Sequence, residues 1–223
     1  MKIGIIGSGM VGQAIGKKLV ELSHDVVLGT RDPQQLTEKK GWAGSLQEWL
    51  DSLPTPTKIA TFAEAAAHGE LVINATGGVN SIAALQLAGA NNLADKILID
   101  IANELDFSKG MSPQSLANDT ISLGEKLQAA FPTAKVVKTL NTMTAAVMVA
   151  PESVAAGNHT VFVSGNDSEA KLIVTSLLQS FGWQDIIDLG DIQSARGTEM
   201  LMPMWLKLMQ QLGTGAFNYK IVR

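Results

Sequence analysis

The sequence predicts an α/β fold built on a doubly wound, mainly parallel sheet. Short runs of aliphatic, often β-branched residues recur at Ile3–Ile6, Val26–Leu28, Leu71–Ile73, Ile97–Ile99 and Val136–Val137, with helical patterns between them. Such alternation is the pattern of a parallel sheet covered by helices on both faces. A glycine-rich turn, residues 7–12, joins the first run to the first helix. With 46% hydrophobic residues in a 223-residue chain, a sizeable core is available.

The first strand is read from Ile3, Ile5 and Ile6, and the first helix from Met10 to about Leu22. Between them Gly7, Ser8, Gly9, Met10, Val11 and Gly12 spell G-x-G-x-x-G. Gly7 allows the tight turn out of the strand, Gly9 lets the backbone approach a pyrophosphate, and Gly12 lets the helix pack on the sheet. The helix N-terminus offers free N–H groups and a partial positive charge to phosphates. This Rossmann-type arrangement points to a bound dinucleotide.

The second strand runs from Asp25 to Gly29. An NAD site usually ends this strand with an acid on the ribose 2′-hydroxyl. Here Thr30 and Arg31 follow, a hydroxyl donor and a cationic fork matched to a phosphate. That pair favours NADP. A small shift of register would bring Asp32 to the ribose instead. Lys39 and Lys40 add positive potential downstream.

A polar stretch with Trp42 and Trp49 follows, around a helical pattern from Ser45 to Leu53 that Pro54 and Pro56 close. Lys58–Ala60 is a brief strand. Thr61 and Glu64 form a capping box for a helix from Phe62 to His68. The fourth strand, Leu71–Ala75, ends in Thr76-Gly77-Gly78, a second place where backbone can approach a ligand. A helix from about Ser81 to Leu87 leads to the fifth strand, Lys96–Ile101, and on to Ala102-Asn103-Glu104. Residues 104–118 read as a loop broken by Gly110 and Pro113, then a helix from Ser122 to Phe131 and a sixth strand from Lys135 to Lys138. In this architecture the turns after strands one, two, four, five and six line one crevice.

From Asn158 the pattern resumes: a strand His159–Val163, a helix capped by Asp167 and reaching Phe181, and a strand Asp185–Asp188. A last helix, Ile192 to Leu212, carries Met200, Leu201, Met204, Trp205 and Leu208 on several faces. Methionine clusters of this kind suit a core or a subunit interface. Residues 1–150 are read as the dinucleotide-binding domain. Residues 151–223 are read as a short C-terminal αβα extension of the sheet that carries dimerisation and acceptor-side helices.

Composition removes several function classes. The absence of cysteine excludes disulfides, thiolate nucleophiles and iron–sulfur clusters. It is compatible with a reducing cytoplasm, the expected location. A net charge of −4 with no basic tract argues against a nucleic-acid partner. No apolar run is long enough to span a bilayer, and no signal peptide is apparent. His24, His68 and His159 have no metal-ligand spacing, so no metal is expected. No catalytic acid–base pair stands out. Hydride transfer between two cofactors needs none, because the protein has only to stack and align them.

Taken together, these pieces resemble the coenzyme F420-dependent NADP oxidoreductase family, and the chain is also similar to the reductase domain of the STEAP metalloreductases. The matching segments are Gly7–Gly12, Gly29-Thr30-Arg31, Val137–Met143, and Asp188-Leu189-Gly190 followed by Ala195-Arg196 and Glu199. The resemblance implies that the glycine turn and Thr30-Arg31 hold NADP. It implies that Thr76 and Gly77 flank the pyrophosphate and nicotinamide ribose, and that Asn141, Thr142 and Met143 lie near the nicotinamide and its acceptor. Ala102 and Asn103 belong to the same crevice. The implied acceptor is flavin-like: F420, FMN or FAD. A homodimer built through the C-terminal helices is implied as well.

Asn141 and Thr142 also suit a helix N-cap after the sixth strand. Arg196 and Glu199, one turn apart, are expected to form a structural ion pair. An NADPH-dependent oxidoreductase and an NADPH-binding sensor without turnover remain open as function classes. A 2-hydroxyacid or imine dehydrogenase ranks last, since no substrate domain follows residue 150.

Overall fold

Strands form where the apolar runs lie, and the helices between them carry one apolar face. In the computed structural model, which describes residues 1–37, 44–108 and 113–223, β1 (Lys2–Ile6), α1 (Met10–Glu21), β2 (Asp25–Thr30), α2 (Leu46–Asp51), β3 (Lys58–Thr61) and α3 (Phe62–His68) come first. Then follow β4 (Leu71–Asn74), α4 (Ser81–Ala88), α5 (Ala90–Leu93), β5 (Ile97–Asp100), β6 (Leu105–Asp106), β7 (Gln114–Ser115), α6 (Leu123–Ala130) and β8 (Lys135–Thr139). The chain closes with α7 (Ala145–Val149), β9 (Thr160–Gly165), α8 (Ser168–Phe181), β10 (Asp185–Asp188), α9 (Ala195–Met200) and α10 (Met202–Leu212). Lys39, Lys40, Trp42 and Gly110 lie outside the described residues.

One eight-stranded sheet has the order β10-β9-β8-β5-β4-β1-β2-β3. Six of its strands, β8, β5, β4, β1, β2 and β3, are mutually parallel. β9 then runs antiparallel to β8, and β10 runs parallel to β9. The C-terminal segment therefore extends the same sheet with two reversed strands. Two apolar clusters pack on its opposite faces, one around Ile15, Leu19 and Val174, the other around Ala65, Leu85 and Leu127.

Local signals explain where several helices begin. Ser45 with Glu48, Thr61 with Glu64, and Ser122 with Glu125 each form a complete capping box. A cap of this kind is worth about 0.5–2 kcal/mol. Trp49 fixes α2 against α1: its indole Nε1 donates to the Gln13 carbonyl at 2.8 Å, and its ring lies over Gly16.

Two expectations need correction. Residues 104–118 are not simply a loop, because Leu105–Asp106 pairs antiparallel with Gln114–Ser115. Two-residue strands are too short to show an alternating pattern. The last helix is not continuous from Ile192 to Leu212 either. A 3₁₀ turn over Ile192–Ser194 leads into α9, and the α-helical bonding is interrupted at Leu201 before α10. Pro203 causes the break. It lacks the N–H that would bond Glu199, and its ring would meet that carbonyl.

Candidate active site

A cleft of about 850 Å³ opens at the carboxyl ends of β1, β2 and β4, where the strand order reverses. Such switch points are where doubly wound sheets bind ligands. Gly7, Ser8 and Gly9 form its floor, Thr30 and Arg31 one end, and Thr76 and Gly77 the side facing β4.

The glycine turn is held from several directions. Gly7 has φ +118° and donates its N–H to Gly29 O at 3.1 Å. A Cβ at Gly12 would collide with the Gly7 carbonyl. Both are glycine for reasons internal to the fold. Gly9 is different: a Cβ there meets nothing within 4 Å, since it points into the open cleft. Gln13 donates from Nε2 to Ser8 O at 3.0 Å, and Ser8 donates to the Thr30 hydroxyl at 3.1 Å. The first turn of α1 carries no acid to oppose an anion.

Thr30 is the last residue of β2, paired with Thr61, so Arg31 stands at the rim of the cleft. No ion pair among the described residues engages Arg31. Asp32 also borders the cleft, but its carboxylate accepts the Gln34 N–H at 3.0 Å and so caps its own turn. Opposite lie Phe62, Ala83, Ala84 and the exposed Leu87, an apolar wall that sequence reading missed. Residues on helix faces around a cleft carry no local motif; only the topology brings them together.

Met10 and Val11 open α1 beside the turn, Met10 largely exposed. Asn103 and Asn141 face each other. Asn103 Nδ2 donates to Asn141 O at 2.7 Å, and Asn141 Nδ2 donates to Asn103 Oδ1 at 3.0 Å. Gly78 N–H bonds Asn103 O at 3.0 Å, which ties this pair to the loop after β4. Ala102 is buried below. Leu140 turns the chain here with φ +57°, a left-handed conformation unusual for a branched residue. Asn141 and Thr142 are buried, and Met143 packs in the core with Leu140 and Val147. The helix cap expected at Asn141 or Thr142 falls instead at Thr144, without a side-chain bond.

The expected Arg196–Glu199 pair does not form. Arg196 clasps Glu125 in a two-pronged contact at 2.7 and 2.6 Å, which holds that carboxyl near a pKa of about 2. Glu199 turns inward to Lys138 at 2.9 Å. Lys138 also meets Asp100 at 2.8 Å, and all three are buried. A helix side chain has two or more neighbours in reach, and the partner on another element wins here. The signal for the inner group was available: Asp100 ends the apolar run of β5, and Lys138 directly follows the Val136-Val137 pair of β8.

Fold and turn define a dinucleotide-binding protein of the doubly wound class. Residues 2–104 match the family model for NADP oxidoreductase, coenzyme F420-dependent. The crystal structure of a candidate F420-dependent NADP reductase from Arthrobacter sp. FB24 is 54% identical, with full coverage of both chains and a TM-score of 0.94. Metalloreductase STEAP3 from Rattus norvegicus is 31% identical over 97% of this chain, which spans only 40% of that relative. NADP-bound pyrroline carboxylate reductase from Plasmodium falciparum shares the fold alone, at 16% identity and a TM-score of 0.56 over 95% of this chain and 67% of that one. The chain belongs to the coenzyme F420-dependent NADP oxidoreductase family. That family is one of NADP-dependent oxidoreductases.

Proposed function

We propose that the protein transfers a hydride between NADP(H) and a flavin-like or deazaflavin acceptor of the F420 type. The observation that carries this reading is the open approach at Gly9, next to a strand end that offers Thr30 and Arg31. The turn from Gly7 to Gly12 and the acid-free start of α1 take the pyrophosphate. Thr30 and Arg31 take the 2′-phosphate. Phe62, Ala83 and Leu87 offer an apolar wall to the adenine. Thr76 and Gly77 border the nicotinamide ribose, and Ala102, Asn103, Asn141 and Thr142 bound the nicotinamide side, with Met143 supporting that turn from the core. Bound NADPH supplies the hydride; the side chains bind, align and exclude water, and none is needed as acid or base. A homodimer formed through the C-terminal helices completes the reading.

Titration of NADPH and NADH against the wild type and Arg31→Ala tests the cofactor. Losing a charge-assisted contact costs about 1.5–3 kcal/mol, so NADPH affinity is expected to fall roughly ten- to a hundredfold. NADH affinity is expected to stay nearly unchanged; equal losses would remove Arg31 from the 2′-phosphate. Stopped-flow oxidation of bound NADPH by FMN, FAD and F420 tests the acceptor. Binding without oxidation by any of the three would favour a sensor without turnover.

A further inference from the structure

A buried cluster of charged side chains is linked by hydrogen bonds to Thr76 on the wall of the cleft, and the binding scheme above uses none of its charges. Lys138, Asp100 and Glu199 are 1%, 0% and 3% exposed. Lys138 Nζ donates to Asp100 Oδ2 at 2.8 Å, to Glu199 Oε1 at 2.9 Å and to the Ala102 carbonyl. The other oxygen of Asp100 accepts from Asn74 Nδ2 at 2.8 Å and from Ala102 N–H at 3.2 Å. Asn74 Oδ1 in turn accepts from the Thr76 hydroxyl at 2.7 Å. At the far end Glu199 accepts the N–H groups of Leu123 and Gly124, at 2.8 and 3.1 Å. One continuous path thus joins α9 and the start of α6 to two loops of the candidate site.

Burial of three charges is poorly explained by stability. Each ion loses several kcal/mol of solvation, and well-packed apolar side chains often do as well or better. What an apolar set cannot supply is direction. Burial disfavours the Lys138 charge, but the two facing carboxylates outweigh it and raise its pKa, so the ammonium persists. That ammonium and Asp100 fix both the N–H and the carbonyl of Ala102, the residue before Asn103.

We propose that Glu199 is a positioning residue for the nicotinamide end of the site. Acting through Lys138 and Asp100, it sets the Ala102–Asn103 turn and, through Asn74, the Thr76 loop. This deepens the hydride-transfer reading and rests on it. A misplacement of about 1 Å at a reacting centre can cost on the order of a hundredfold in rate.

The test is Glu199→Gln, which keeps shape and an acceptor but removes the charge. NADPH affinity is expected to change less than about twofold, since the Gly7–Gly12 turn and Thr30-Arg31 are untouched, while the rate of FMN reduction falls about tenfold or more. The fluorescence emission of bound NADPH, which reports the nicotinamide surroundings without any acceptor, is expected to shift. The triple variant Lys138→Met, Asp100→Asn, Glu199→Gln leaves no charge unpaired and repeats the test should the single variant not fold; it too is expected to bind NADPH and transfer slowly. Wild-type rate and emission in either folded variant would overturn the proposal and leave a merely structural ion cluster. If FMN accepts no hydride from the wild type, the emission comparison alone decides. A wild-type chain that binds no NADPH would overturn the nucleotide reading, and this inference with it.

Discussion

At Gly7 the backbone needs φ +118°, and an added Cβ would press on the carbonyl of Ala75. At Gly9 the backbone is extended, φ −78° and ψ −173°, and the space is empty. Valine fits that second conformation, so Gly9→Val is expected to fold with a stability loss of about 1 kcal/mol or less. It is also expected to lose NADPH binding. Circular dichroism and NADPH titration on the same sample check both halves; normal binding would make the turn purely structural. These glycines were legible in the sequence because the motif is local, six consecutive residues between a strand and a helix. The contact between Glu199 and Lys138 was not, since a helix residue's inward partner depends on how distant elements pack.

Helices were legible where a cap announces them, as with Thr61 and Glu64 at the start of α3. The break at Leu201 was missed because the apolar pattern continues across it, although Pro203 carried the signal. A second feature invisible to pattern is the strap formed by residues 214–223. It crosses the start of β9, where Thr160 N–H bonds Tyr219 O at 2.9 Å and Ile221 N–H bonds the Thr160 hydroxyl at 3.0 Å. Asp185 anchors it. The Thr160 hydroxyl, then Lys220 and Arg223, hold that carboxyl near a pKa of about 2. A depressed carboxylate stabilises the fold above its unfolded pKa, near 3.9, and ceases to do so as pH falls through the folded value. Hydrogen-exchange protection of Thr160 and Ile221 is therefore expected to weaken between about pH 4 and pH 2. Asp185→Asn is expected to weaken it already at neutral pH. Protection independent of pH over that window would dismiss Asp185 as the anchor.

For the molecule as a whole, the reversed strands β9 and β10 carry α9 and α10 back over the sheet, so that Glu199 enters from the C-terminal extension. Among the described residues no helix is long and apolar enough to cross a membrane. Met200, Met204 and Leu212 are exposed on the C-terminal helices, and Ile221 and Val222 on the strap. Trp205 is not part of that surface: it is buried and stacks on Phe217 at 5.4 Å. A monomer rarely shows an apolar patch above about 300–600 Å², and a two-fold pair is the commonest way to cover one. We expect sedimentation to give a dimer, and Met204→Glu, 57% exposed in the single chain, to shift it toward monomer. If the dimer helps wall the acceptor, flavin reduction is expected to fall more than NADPH binding. Wild type sedimenting as a monomer at micromolar concentration would defeat the assembly.

The hydrogen bond from Trp49 to Gln13 has an optical consequence. Gln13 holds Ser8, so the indole of Trp49 is linked by two bonds to the backbone that receives the pyrophosphate. Its emission becomes a built-in gauge of that turn. Adenosine 2′,5′-bisphosphate, which carries phosphates but does not absorb tryptophan emission, is expected to shift it, and Trp49→Phe is expected to abolish that shift while the other three tryptophans still emit; a shift that survives the substitution would detach Trp49 from the turn.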